Sequence, residues 1–285
     1  MFELAGRRAL RLDRPCLMGI VNLTPDSFSG DGLAGDPERA VTRAAQMQAE
    51  GAALVDLGGE STRPGAAPVD SAGECARVLP VLERLAGTLD LPVSLDTSNP
   101  ELMRAGAAAG AALINDVRAL RRPGALDAAA ESGLPVCLMH MRGEPGDMQQ
   151  APRYGDVVGE VLQFLEERIR TCERAGIDRA RLLVDPGFGF GKTLAHNLEL
   201  LRRLPEIAAL GLPVLVGISR KSMIGLLSGA PVEQRVHGSV AAALLAAQRG
   251  AAVLRVHDVA ATAQALAVLG AVDGVPGPAP GAVAA

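Results

Sequence analysis

The sequence has few of the residues from which nucleic-acid binding surfaces are built. Aromatic residues make up only 2% of its 285 residues, with no tryptophan and one tyrosine. Single-stranded nucleic acid is bound on aromatic stacking platforms, which this composition does not supply. The formal net charge of −4 gives no reason to expect attraction to nucleic acid or to an anionic membrane. We therefore expect small molecules as ligands, and neither nucleic acid nor a membrane as partner.

Long apolar runs and paired cysteines are also missing. No purely apolar run reaches the length of about 18 residues that a membrane-spanning helix needs. The N-terminal stretch MFELAGRRALRLDRP lacks the apolar core and the small-residue cleavage site of a signal peptide. The cysteines, Cys16, Cys75, Cys137 and Cys172, include no C-x-x-C pair. We expect free structural thiols and a cytoplasmic protein.

Short runs rich in Val, Leu and Ile recur along the chain, each followed by a longer helical pattern. The runs show little alternation, as expected of strands buried on both faces. Amphipathic stretches such as 37–51, 100–110 and 159–176 end in glycine, which is a helix C-cap signature. The repeat predicts an α/β fold, the (β/α)8 TIM barrel, with a doubly wound open sheet as the alternative. The predicted strands are 16–22, 53–58, 92–96, 112–116, 135–140, 181–186, 213–219 and 252–257.

No boundary divides this pattern, so we predict a single domain over residues 1–274. The final residues, 275–285, are rich in proline, glycine and alanine. Such a composition is typical of a disordered tail.

Polar residues stand at the end of every predicted strand. In such barrels the active site lies at the carboxyl ends of the strands. Each residue alone is also explained as a strand-terminal cap or turn residue. Together they predict a barrel mouth with carboxylates and amides on one side and cations on the other. They are Asn22, Asp56, Asp96, Asn115, Asp116, His140, Asp185, Ser219, Arg220, Lys221, Arg255 and His257.

The two halves of this ring suit different parts of a ligand. Arg63, Arg255 and His257 can hold an anion, and the arginine fork suits phosphate. Two carboxylates and an asparagine suit a heterocycle edge rich in N–H donors. The loops 22–32 and 58–70 have hydroxyls and glycines suited to lids over a charged leaving group, although a tolerated loop without function is the alternative. The residues alone predict a phosphorylated, nitrogen-rich ring as ligand.

Two motif-like strings are discounted. GFGFGKT at 187–193 lacks the spacing of a phosphate-binding loop and misses the dinucleotide fingerprint by one position. The histidines show no metal-ligand spacing such as H-E-x-x-H, so no zinc site is expected.

Long and specific strings span the chain from about Cys16 to Leu269. They are MGIVNLTPDSFSGDG, VDLGGESTRPGA, SLDTSNPELMRAGAAAGAALINDV, LMHMRGEP, LVDPGFGFGKT, GISRKSMIG, VHGSVAAALLAAQRGA and VLRVHDV. Together they resemble the dihydropteroate synthase family. That resemblance implies a (β/α) barrel transferase of folate synthesis, usually a homodimer, that uses Mg²⁺ and is a sulfonamide target. It would condense 6-hydroxymethyl-7,8-dihydropterin diphosphate with p-aminobenzoate, giving 7,8-dihydropteroate and diphosphate.

The resemblance also implies roles for matching residues. The pterin would be held by Asp96, Asn115, Asp185 and Lys221. The diphosphate would be held by Asn22, Thr62, Arg63, Arg255 and His257, with Asn22 as the Mg²⁺ ligand. The p-aminobenzoate would be framed by Thr62, Arg63, Pro64, Phe190, Ser219 and Lys221. Catalysis would depend on Asp96, Lys221 and Arg255, and Asp56 would support the pocket floor.

Two stretches depart from the family pattern. The first loop reads SFSGDG where the family commonly has S-F-S-D-G-G, so its acidic residue stands one place later, at Asp31. A role of this loop in Mg²⁺ binding or closure is therefore left open. The stretch MRGEPGDMQ replaces a more familiar M-Q-G-x-P, and we expect an exposed loop with little effect on the site.

Two other functions are weighed against synthesis. A corrinoid-linked pterin methyltransferase module would share the fold but needs no diphosphate grip, and Arg63, Arg255 and His257 argue against it. A pterin-binding paralogue without synthase activity would have lost lid or p-aminobenzoate residues. Thr62-Arg63-Pro64 and Ser219-Arg220-Lys221 are intact, while the altered first loop keeps this alternative open.

Overall fold

A computed structural model describes residues 1–5, 9–24, 36–61, 69–144 and 146–273. Eight parallel strands, β3 to β10, close into a barrel in sequence order, with β10 paired to β3. This confirms the predicted (β/α) barrel and rules out the open sheet. The strands are β1 (Phe2–Glu3), β2 (Ala9–Leu10), β3 (Cys16–Asn22), β4 (Leu54–Gly58), β5 (Val93–Asp96), β6 (Leu113–Asp116), β7 (Val136–Met139), β8 (Leu182–Asp185), β9 (Val214–Val216) and β10 (Ala251–Val256). The predicted tail, 275–285, lies outside the described residues.

The helices begin and end where local signals predict. Asp36 and Asn99 cap the first turns of α1 and α3 through their side chains. Gly51, Gly110 and Gly176 follow α1, α3 and α5 with positive φ, as the predicted glycine ends require. None of the helices described is both long and apolar enough to cross a membrane. The helices are α1 (Pro37–Ala49), α2 (Ser71–Thr88), α3 (Pro100–Ala108), α4 (Ala125–Ser132), α5 (Val157–Arg174), α6 (Leu194–Arg202), α7 (Leu204–Ala208), α8 (Ser222–Ser228), α9 (Val236–Ala247) and α10 (Val259–Val272).

A short antiparallel hairpin, β1 paired with β2, closes the amino-terminal end of the barrel. Its side chains Phe2, Leu4 and Leu10 are buried in one cluster with Met18 and Leu54 of the barrel strands. Strands of two residues are too short to show a hydrophobic period, which is why the hairpin could not be predicted. Burial of this cluster leaves the carboxyl end as the open end of the barrel.

A change from apolar to polar residues along the strands creates the site. Successive side chains of a strand alternate between its two faces, so residues two apart point the same way. One buried layer contains Leu54, Leu113, Leu183 and Val253. Two residues farther toward the carboxyl ends, the same strands carry Asp56, Asn115, Asp185 and Arg255. A polar layer therefore lies directly above the apolar interior, at the end where such barrels build active sites.

Candidate active site

A cavity of about 520 Å³ lies at the carboxyl ends of the strands. It brings together most of the residues predicted for the site. Asn115 and Asp185 are also at the strand ends but are buried, with 4% and 6% of their surface exposed. Thr62, Arg63 and Pro64, like the acidic Asp31, lie outside the described residues. The predicted residues that line the cavity are Asn22, Asp96, Phe190, Ser219, Lys221, Arg255 and His257.

Strand register places three of these oxygen-bearing side chains in one row. Asn22 pairs with Gly58, Gly58 with Asp96, and Asp96 with Asn115. A Cβ atom at Gly58 would lie 3.6 Å from Asp96 Oδ2 and 3.8 Å from Asn22 Oδ1. Because glycine has no side chain, the Asn22 amide oxygen and the Asp96 carboxylate approach the same space from either side.

Arg255 connects this row to the floor of the barrel. Its Nε donates to Asp56 Oδ2 at 2.6 Å, and its Nη2 donates to Asp96 Oδ2 at 2.8 Å. Asn115 Nδ2 donates to the same Asp56 oxygen at 2.9 Å. Asp56 is fully buried, which agrees with its expected place at the pocket floor. The network leaves Arg255 Nη1 without a hydrogen bond to any other residue in the described part of the chain.

Burial brings two ionisable groups of the cavity toward neutral pH. Burial raises the pKa of Asp96 to about 7, against the opposing effect of Arg255. Burial also lowers the pKa of Lys221 to about 8, although Asp185 acts to raise it. The pKa of Asp185 is raised by burial, with Lys221 opposing the shift. Perturbed groups of this kind, gathered in a cavity, are typical of catalytic sites.

A glycine-rich loop, 187–191, holds both lysines of the protein. Lys192 Nζ donates to Gly187 O at 2.9 Å and to Phe190 O at 3.1 Å. Lys221 Nζ donates to Phe188 O and lies 4.6 Å from the centre of the Phe190 ring. Gly187 has φ +70°, and a Cβ there would lie 1.9 Å from His140 O, so only glycine fits. The G-x-G-x-G string thus builds a loop whose carbonyls bind ammonium groups, and its discounting as a phosphate loop is consistent with this geometry.

His140 and Asp116, two members of the predicted ring, have local structural contacts. His140 is buried with its Nδ1 2.9 Å from Lys192 Nζ, and burial lowers the pKa of its imidazole to about 2. Asp116 accepts backbone N–H groups of Arg118 and Leu120 at 2.8 Å and 2.7 Å. For these two residues the turn and cap interpretation is the better one.

His257 is a neutral group in the cavity. Burial, and next the charge of Arg255, lower the pKa of its imidazole to about 3. Its backbone N–H donates to Ser219 Oγ at 3.2 Å, and Ser219 Oγ lies 3.0 Å from His257 Nδ1. The lowered pKa leaves the imidazole uncharged at neutral pH, which differs from the cation expected here.

Most described residues of the MRGEPGDMQ stretch are exposed, as expected, but the stretch also reaches the site. Met148 is buried, and both Met148 and Gln149 line the cavity. Gln149 Nε2 donates to Gly189 O in the glycine-rich loop. The stretch has no periodicity, so only the folded chain shows this contact. Arg220 of the predicted ring also lines the cavity, and the lining residues that sequence reasoning did not assign are Ile20, Thr24, Glu60, Ser61, Gly189, Gly217 and Ser222.

The chain is similar to known pterin enzymes over most of its length. It matches the model of the family described as pterin binding enzyme over residues 18–257. A dihydropteroate synthase of Escherichia coli (strain K12) is 52% identical over 261 residues, which cover 92% of this chain and 93% of the relative. The structure of a Xanthomonas albilineans dihydropteroate synthase in complex with 7,8-dihydropteroate is 54% identical, with a TM-score of 0.86 over 97% of this chain and 100% of that one. A Yersinia pestis dihydropteroate synthase solved with a sulfonamide drug complex is 50% identical, with a TM-score of 0.90 over 93% and 96% of the two chains.

Proposed function

We propose residue roles from one premise: this chain belongs to the pterin binding enzyme family. Its activity is dihydropteroate synthesis, the condensation of 6-hydroxymethyl-7,8-dihydropterin diphosphate with p-aminobenzoate to give 7,8-dihydropteroate and diphosphate. The observation that carries the assignment is the cavity whose carboxylates and amides face Arg255 and Lys221. The test is diphosphate release by the purified protein. Release that is the same with and without p-aminobenzoate would refute synthesis.

The pterin is held at the deep end by Asp96, Asn115, Asp185 and Lys221. Carboxylate and amide oxygens accept hydrogen bonds from a ring edge rich in N–H groups. Two features support this placement: Asn115 is the register neighbour of Asp96, and the charge of Lys221 acts on Asp185. The ammonium of Lys221 supplies a donor for the acceptor atoms of the same ring.

The diphosphate lies at the outer end, near Asn22, Arg255 and His257. Arg255 Nη1 is a donor left over by the contacts inside the protein, and the imidazole of His257 lines the same cavity. Charge-assisted donors such as Arg255 suit phosphate oxygens. Thr62 and Arg63, which lie outside the described residues, are also proposed to bind the diphosphate.

Asn22 is the residue proposed to hold Mg²⁺. Within the described ranges, no group of three or more His, Cys, Asp and Glu side chains could hold a metal ion. A neutral oxygen at Asn22, 3.8 Å from the Cβ position that Gly58 leaves empty, fits a cation whose other ligands come from phosphate and water. Mg²⁺ is commonly bound in this way, through substrate phosphates rather than a complete protein cage.

Metal binding should therefore depend on the substrate. We expect calorimetry to show weak Mg²⁺ binding by the free protein and much tighter binding in the presence of the pterin diphosphate. Tight uptake of Mg²⁺ by the free protein would contradict the assignment.

The reaction breaks the bond between the pterin methylene carbon and the diphosphate oxygen. When bound, Mg²⁺ supplies neutralisation of the negative charge that develops on the leaving oxygens. Positive charge develops on the methylene and the ring, and ionised Asp96 stabilises it. The arylamine nitrogen of p-aminobenzoate forms the new bond to the methylene carbon and releases one proton. No side chain needs to form a covalent bond with the substrate.

The p-aminobenzoate lies against Phe190 and Ser219, with Lys221 between the two substrates. The Phe190 ring and Ser219 both line the cavity, and Lys221 Nζ lies 4.6 Å from the Phe190 ring centre. Thr62, Arg63 and Pro64, which lie outside the described residues, are also proposed to contact this substrate. An aromatic face and a hydroxyl suit a flat ring that carries a polar group.

The enzyme is proposed to be a homodimer that associates through the outer faces of α8, α9 and α10. Helix α9 packs against both of its neighbours. The exposed apolar side chains on these helices are Leu226, Leu227, Leu245, Val268 and Val272. Exposed apolar side chains that gather on adjacent helices commonly mark a protein interface. Sedimentation should give a dimer for the wild type and a monomer for the double variant Leu226→Glu/Val268→Glu, and a monomeric wild type would contradict the proposal.

A cytoplasmic location is also proposed. All four cysteines are free thiols, as expected of a protein in a reducing compartment. Fractionation of cells that express the chain would test this placement.

A further inference from the structure

The buried carboxylate of Asp56 holds two residues that the reaction uses. It lies on β4, two residues before Gly58 and below the row formed by Asn22, Asp96 and Asn115. One oxygen, Oδ2, accepts from Arg255 Nε at 2.6 Å and from Asn115 Nδ2 at 2.9 Å. Asp56 has no exposed surface. It acts on a ligand only through these two neighbours.

The contact with Asp56 decides which end of the Asn115 amide faces the ligand. The Asp56 oxygen Oδ2 is an acceptor, and it receives hydrogen bonds from Arg255 Nε at 2.6 Å and from Asn115 Nδ2 at 2.9 Å. The NH₂ group of Asn115 must therefore point to Asp56. Its oxygen, Oδ1, accepts no hydrogen bond from another described residue. Asn115 is thus presented to the ligand as an acceptor.

The two oxygens of Asp56 differ in their contacts. Oδ2 accepts both hydrogen bonds, whereas Oδ1 is buried without a hydrogen-bond partner among the described residues. Asn115 and Arg255 are therefore held by the same oxygen atom.

We propose that Asp56 is a positioning residue that selects the hydrogen-bond pattern of the pterin. By holding Asn115 Nδ2, it makes Asn115 an acceptor for a ring N–H and excludes the opposite orientation of the amide. This inference rests on the proposed pterin site. It assigns to Asp56 a specificity that neither Asn115 nor Arg255 has alone.

The substitution Asp56→Leu should free the amide of Asn115. Leucine is close to aspartate in shape but has no acceptor, so Asn115 Nδ2 would lose its partner at position 56. The amide could then turn its NH₂ group toward the ligand, where it would meet a ring N–H. We expect the Kd of 6-hydroxymethylpterin, measured by calorimetry, to rise about tenfold or more.

Asp56→Asn is the conservative variant and provides the rescue. Because Oδ2 of Asp56 accepts from both Arg255 Nε and Asn115 Nδ2, the amide oxygen of the new residue can take its place. The new NH₂ group would take the place of Oδ1, which has no hydrogen-bond partner among the described residues. Asn115 would keep its orientation, and we expect the Kd for 6-hydroxymethylpterin to stay within about threefold of the wild-type value.

Asp116→Asn is the matched control, because it also removes a buried carboxylate near the carboxyl end of the barrel. Asp116 bonds to Ser98 and to the N–H groups of Arg118 and Leu120, and to none of the pterin residues. This variant should lower the melting temperature and leave pterin affinity unchanged.

Two results would overturn the inference: an Asp56→Asn protein that binds 6-hydroxymethylpterin no better than Asp56→Leu, or an Asp56→Leu protein with wild-type affinity. The measurement needs no turnover, so a failure of the proposed synthase activity would appear separately, in the diphosphate-release assay of the wild type.

Discussion

Replacing Lys221 by arginine tests whether the site needs a compact ammonium or only a positive charge. Lys221 Nζ donates to Phe188 O and lies over the Phe190 ring. The loop packs closely on its stem, because a Cβ at Gly189 would lie 3.1 Å from Lys221 Cδ. A planar guanidinium is bulkier and cannot keep both contacts in the same space. A hydrogen bond from a charged group contributes about 1.5–3 kcal/mol, so we expect kcat/KM to fall about 10- to 150-fold.

Lys192→Arg is the matched control, since it makes the same replacement against the same loop. Lys192 is only 3% exposed, and its Nζ is enclosed by Gly187 O, Phe190 O and His140 Nδ1. Because Lys192 braces the loop without lining the cavity, this variant should lose stability more than activity.

Both variants are to be assayed by diphosphate release and by thermal unfolding followed by circular dichroism. Lys221→Arg should keep the melting temperature of the wild type. Near-normal turnover by Lys221→Arg would show that charge alone is sufficient, and the placement of the ammonium against the pterin would then be wrong.

Three further predictions concern the charged groups of the cavity. The pKa of Asp96 is raised to about 7 and that of Lys221 is lowered to about 8. As the pH increases, kcat/KM for the pterin diphosphate should therefore rise around pH 7 and fall above pH 8. A flat profile from about pH 6 to 9 would contradict the roles of ionised Asp96 and protonated Lys221. Arg255→Ala should weaken the binding of diphosphate-bearing ligands about tenfold more than the binding of a pterin without phosphates. The same variant should lower the free energy of unfolding by about 3–5 kcal/mol, because Asp56 and Asp96 lose their cation. Equal weakening for both ligands would disprove the diphosphate role of Arg255. Asp96→Asn should lower kcat without raising KM, whereas Asp185→Asn should mainly raise KM for the pterin, and a pure KM effect in Asp96→Asn would refute its part in stabilising the methylene charge.

Local sequence determined the elements of this protein and the side chains at their ends. The strand runs were predicted to within a few residues, because burial on both faces requires consecutive apolar residues. The glycines after α1, α3 and α5 marked helix ends, since they adopt positive φ. The regular succession of strand and helix predicted the barrel, and the barrel fold implied that residues such as Asp96 and Asn115 would meet at its carboxyl end.

Only the tertiary structure decided what these residues do to one another. Arg255 donates hydrogen bonds to carboxylates 199 and 159 positions away in the chain, and no local sequence pattern predicts these pairings. Gln149 reaches Gly189 from a stretch that has no periodicity. His257, expected as a cation, is neutral because burial removes the water that would stabilise its charge. Hydrogen-bond partners and desolvation arise when distant segments come together, whereas backbone preferences depend on neighbours in the chain. The sequence therefore predicted which residues form the site, and closure of the barrel determined their charge and orientation.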